Sequence, residues 1–139
     1  LDDFSLGLDP GYRRLFVDYM REYAKAEDKT VFLTSHIIQD MERLVDDCIV
    51  MDYGKILVQM PVNELLGKFR RYTAQVSEGF RMQDTDGIYN PSVIRQTLEL
   101  FSMLPEAEVR ARLSLQGVAE VQVEKVGLED AFIGLTGKY

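Results

Sequence analysis

Among its 139 residues the chain has a single cysteine, a single histidine, no tryptophan and only four prolines. The lone Cys48 sits in the apolar run "CIVM", which excludes an internal disulfide and a cysteine-based zinc site. One thiol in apolar surroundings fits a reducing compartment. Positive charge is also scarce: 16 Lys and Arg against 23 Asp and Glu leave a net charge of −7. A general phosphate-backbone binder carries a basic face, so nucleic acid is not expected as a partner. No apolar run approaches the roughly 18 residues needed to cross a bilayer, and nothing reads as a signal peptide, so a soluble chain is expected. Also missing are internal repeats, low-complexity segments and any G-x-x-x-x-G-K-[ST] loop, whose amides and lysine would cradle nucleotide phosphates.

What is present is globular in kind: 46% hydrophobic and 28% charged residues at the mass of one ordinary domain. The opening "LDDFSLGLDP" has no initiator Met, and it reads as the interior of a longer protein. Asp9 followed by Pro10 is a helix start, since a carboxylate caps free amides and proline suits the first helical position. Leu15, Phe16, Tyr19, Met20 and Tyr23 then recur at helical spacing. "TVFLTSH" predicts a buried, parallel strand through Val31, Phe32 and Leu33. A second helix is expected to carry Ile37, Ile38, Met41, Leu44 and Val45 on one side. "CIVMDYGKILVQM" reads as a hairpin turning at Gly54, and "PVNELLGKF" as a short helix.

Composition changes at "GKFRRYTAQV", giving an expected boundary after residue 67. Beyond it the pattern predicts a strand at "RYTAQV", the loop "SEGFRMQDTDGIYNP", helices over 91–104 and 105–113, a strand at "VAEVQVEKV" and a closing helix at "LEDAFIGLTG". The expected fold class is therefore α/β for residues 1–67, followed by a small α+β appendage over 68–139. The appendage either packs on the catalytic half or on itself, or serves a regulatory or dimerising role.

Three features could carry chemistry. Asp2 and Asp3 form a carboxylate pair before a turn; at the carboxyl end of a strand both could reach one crevice, where open α/β sheets bind ligands. One could hold hydrated Mg²⁺ and the other orient a water; the alternative is a solvated turn. His36 follows Thr34 and Ser35 at another expected strand end, where a neutral imidazole could donate to a phosphate oxygen; the alternative is a capping or core histidine. The Gly7-Leu8-Asp9-Pro10 corner is at minimum a helix cap.

Taken in order, "LDDFSLGLDP", a helix and "TVFLTSHIIQDMERLVDDCIVMDYGKI" resemble the second half of an ABC-transporter ATP-binding subunit. The ending "VGLEDAFIGLTG" is similar to the tail of the bacterial branch that serves simple export permeases. The resemblance is strong over residues 1–67, moderate over 126–137 and thin between. It implies the C-terminal half of a P-loop ATPase sheet, with ATP and Mg²⁺ as cofactors of the intact parent. Asp2 would be the Walker B aspartate, binding Mg²⁺ chiefly through water. Asp3 stands where the family has the glutamate that polarises the attacking water. His36 would be the switch histidine at the γ-phosphate, and Gly7, Leu8 and Asp9 the D-loop facing the partner subunit.

The implied partners are a second ATP-binding subunit and membrane permease subunits, at the cytoplasmic face of the membrane. Asp3 is one methylene shorter than glutamate, Phe4 replaces a proline and Leu6 a small residue. A catalytically weak ATPase-like interaction module is thus the alternative to a working ATPase, and an unrelated metal-dependent hydrolase is a third reading. Without the phosphate loop and the signature motif the chain alone is expected to be inactive. Its uncovered strand edges and apolar faces are expected to drive self-association.

Overall fold

The computed structural model describes residue 2, residues 7–35 and residues 37–137. The chain is mixed α/β and divides into two compact units, Leu1–Asp46 and Asp47–Tyr139.

In the first unit, helix α1 spans Pro10–Ala26. Asp9 caps it with extended backbone (φ −71°, ψ 164°), and its carboxylate accepts the Tyr12 N–H at 3.2 Å. At the other end Lys29 N–H bonds the Ala24 carbonyl at 3.0 Å and Asp28 takes the left-handed region at φ 49°, a Schellman-type stop with an acidic residue where glycine is usual. The helical spacing is as expected, but the aromatic stripe is not covered: Leu15 is 66% and Tyr19 64% exposed, while Val17 is buried. Helix α2 is a single turn, Ile38–Met41, rather than a helix reaching Val45. Both Leu44 and Val45 direct their N–H groups to the Met41 carbonyl, so the chain turns there.

The expected buried strand at Val31–Leu33 is not formed. Among the described residues the bridge nearby is parallel, as expected, but falls at Thr34 opposite Asp2, and Phe32 is 77% exposed. A strand exists only through its hydrogen-bonded neighbours, and apolar composition cannot supply them.

In the second unit, β1 (Asp47–Asp52) and β2 (Lys55–Pro61) form the anticipated antiparallel hairpin, with Asp52 opposite Lys55. Tyr53 and Gly54 both take positive φ (48° and 74°), the twist a two-residue hairpin turn requires. Helix α3 (Val62–Lys68) follows, burying Val62 and Leu65. A four-stranded antiparallel sheet then forms in the order β4-β5-β3-β6, from β3 (Arg70–Gln75), β4 (Ile88–Ile94), β5 (Thr97–Ser102) and β6 (Gln122–Lys125). Helices α4 (Glu106–Leu115) and α5 (Leu128–Thr136) complete the unit.

The expected helix over 91–104 is therefore wrong, and a hairpin stands in its place. Leu98 and Leu100 are buried, while the intervening Thr97 and Glu99 are only partly so, a period of two that the flanking Pro91 obscured. Proline is tolerated because β4 is an edge strand. Tyr72, Ala74, Leu98 and Leu100 share one sheet face and pack with Val109 and Leu113 of α4. On the opposite face Phe101 lies 5.7 Å from the Phe69 ring, and a Cβ at Gly134 would stand 2.7 Å from Phe101, so glycine is what lets α5 approach. The appendage thus holds four strands and two helices, not the expected two and three.

Candidate functional site

The geometry centres on the bridge between Asp2 and Thr34. The two residues pair in parallel, and the Thr34 hydroxyl donates to Asp2 Oδ1. Both are exposed. One residue further, Ser35 Oγ accepts the Ile37 N–H at 3.0 Å. Asp3 and His36, the two residues expected to do catalysis, lie outside the described residues.

Gly7 takes φ +87°, a backbone region that favours glycine, with open space where a Cβ would be. Two residues on, Asp9 turns the chain into α1: its carboxylate meets Tyr12 N and its carbonyl meets Arg13 N at 2.9 Å. The carboxylate expected at the D-loop is thus occupied as a helix cap.

Sequence reasoning left two contributors unassigned. Thr34 stands only as a strand-end residue in the sequence pattern, yet its hydroxyl donates to Asp2 Oδ1. Arg13 on α1 and Asp40 on α2 form an ion pair at 3.2 Å, with side chains only 20% and 18% exposed. Residues 27 positions apart with opposite charge give no local signal, so this pair was not legible. Arg43 and Asp18 make a second, more open pair at 2.9 Å.

The donors present are oxygen atoms, the Asp2 carboxylate beside a threonine hydroxyl, which suits a hard cation such as Mg²⁺ retaining its waters. Among the described residues no group of three or more His, Cys, Asp or Glu side chains gathers as a metal cage. A lone exposed carboxylate of this kind would reach Mg²⁺ only through the ion's own waters. Elsewhere, burial and then the neighbouring Asp47 carboxylate push the Cys48 thiol above its ordinary pKa. Among the described residues no helix is long and apolar enough to cross a membrane.

No family model matches the chain. It is similar to the Nod factor export ATP-binding protein I of Rhizobium sp. (strain N33), 31% identical over 147 residues that cover 99% of this chain and 46% of the relative. It is 30% identical over 142 residues to the protein of that name from Rhizobium leguminosarum bv. viciae, covering 99% of this chain and 45% of the relative. It is 25% identical over 151 residues to the bacitracin transport ATP-binding protein BcrA of Bacillus licheniformis, covering 99% and 48%. The chain spans less than half the length of these curated relatives. It is a homologue, over nearly its whole length, of the ATP-binding proteins of ABC transporters, and it matches a C-terminal portion of such a subunit.

Proposed function

We propose that this sequence supplies the Walker B end, the D-loop and the switch-histidine segment of an ATP-hydrolysing subunit that drives export through partner permeases. Residues 1–67 form part of the ATPase domain, on the far side of a P-loop-type sheet, and residues 68–139 form its C-terminal extension. The observation that carries the reading is the parallel bridge that sets Asp2 beside Thr34, two residues before His36. The relatives' names, which speak of export and of bacitracin transport, support the exporter class.

In this reading Asp2, held by the Thr34 hydroxyl, orients the water shell of Mg²⁺. Magnesium, when bound, neutralises charge that develops on the phosphates. Asp3 accepts the proton of the attacking water, and His36 donates to a γ-phosphate oxygen. Gly7 and Leu8 give the D-loop its turn toward a second ATP-binding subunit, and Asp9 anchors that turn on α1. Cargo is selected by the permease partners, at the cytoplasmic face of the membrane. Because the sequence holds no phosphate loop, this chain alone neither retains ATP nor turns it over.

A weaker ATPase is the second reading, favoured by Asp3 in place of glutamate. Its carboxylate is withdrawn by about one C–C bond, ~1.5 Å, and a displacement of that size can cost on the order of a hundredfold in rate. The test is Asp2→Asn in the longest natural chain that carries this sequence. Mg²⁺-dependent ATP turnover should fall by about a hundredfold or more; turnover equal to the parent's would reject the assignment.

A further inference from the structure

The half-buried Arg13–Asp40 pair has no part in the roles above. Arg13 stands one turn into α1, and its N–H bonds the carbonyl of the capping Asp9 at 2.9 Å. Asp40 belongs to α2, the turn of helix that begins two residues after position 36. Their Nε and Oδ2 atoms are 3.2 Å apart. Both atoms are shielded from solvent, and neither makes a hydrogen bond among the described residues. Charged atoms shielded in this way depend on the counter-charge that faces them. The Arg43–Asp18 pair joins the same stretch of chain to α1, but its side chains are each 46% exposed, where an ion pair contributes little.

We propose that Arg13 and Asp40 are positioning residues for the switch segment: the pair ties α2, which directly follows that segment in sequence, to the D-loop helix α1. On either side of position 36 stand the Thr34–Asp2 bond, the Ser35–Ile37 bond and the Arg13–Asp40 pair. The tie couples the D-loop, which faces the second subunit, to the residue that meets the γ-phosphate. This rests on the function proposed above. Phosphoryl transfer depends mainly on positioning, so loss of the tie acts on the chemical step rather than on nucleotide binding.

The experiment is steady-state ATP turnover, with nucleotide binding measured alongside, in the longest natural chain carrying this sequence. Arg13→Gln and Asp40→Asn should each lower kcat about tenfold while KM changes less than about twofold. The double variant should be no worse than either single one. Exchanging the charges, Arg13→Asp with Asp40→Arg, should recover most of kcat, and Arg43→Ala should leave it unchanged. If the exchanged pair does not fold, Asp40→Glu, which keeps the charge, should retain kcat within about twofold where Asp40→Asn does not. Single variants with normal kcat, additive losses, a loss carried by KM, or an equal loss in Arg43→Ala would each overturn the proposal. His36→Ala, run in parallel, separates the two levels: normal turnover there removes the underlying functional reading itself.

Discussion

At Cys48 the thiol is half-buried in β1, with the carboxylate of Asp47 next to it. Burial disfavours the thiolate first, and the adjacent negative charge adds to it, so the pKa lies above the ordinary value. Only the thiolate reacts with alkylating reagents. In the folded chain Cys48 should therefore alkylate more slowly than in the denatured chain near the free-thiol pKa of about 8.5. The gap should narrow as pH rises through the folded-state value. Equal rates at mildly alkaline pH would show that the surroundings do not suppress ionisation. At this scale the sequence was informative where one residue settles the geometry, as with Asp9 at its cap and Gly54 in its turn. It was silent on Thr34 and on the Arg13–Asp40 pair, whose partners are near in space and distant along the chain.

Elements are legible when their signals are local. Helix α1 is announced by Asp9-Pro10, and the hairpin β1–β2 by Asp52-Tyr53-Gly54-Lys55. The Asp9 carboxylate satisfies one free amide of α1, so Asp9→Ala should destabilise the chain by about 1 kcal/mol. Denaturant unfolding measures this, and an unchanged midpoint would mean that α1 does not rely on its cap. The stretch over 91–104 was misread because Pro91 resembles a helix start, whereas here it lies in an edge strand beside a β-hairpin that turns at Arg95 and Gln96, with φ of 48° and 65°. Two non-glycine residues in the left-handed region are not a turn signal that composition carries. Likewise Val31–Leu33 has strand composition, yet among the described residues the bridge falls beyond it, at Thr34.

For the molecule as a whole, the second unit is self-sufficient in core, with a helix on each face of an antiparallel sheet. Other surfaces are left uncovered: Leu15, Tyr19 and Tyr23 along α1, and Ile49, Met51 and Ile56 on the hairpin, are exposed. Apolar groupings of this kind mark association surfaces. Light scattering of this chain at micromolar concentration should give a mass above that of the 16.0 kDa monomer; a monomeric mass would contradict the expected self-association. The family was legible from motif order and spacing, because Asp2, Gly-Leu-Asp-Pro and Thr-Ser-His follow one another at the family's intervals, although Asp3 replaces its glutamate. The central claim is that the strand end bearing Asp2 and the segment bearing His36 act on one γ-phosphate. It is tested most directly by ATP turnover of the longest natural chain carrying this sequence, parent against His36→Ala, with nucleotide binding measured in both. The account predicts binding retained and turnover lowered by about a hundredfold or more; turnover that survives the substitution would contradict it.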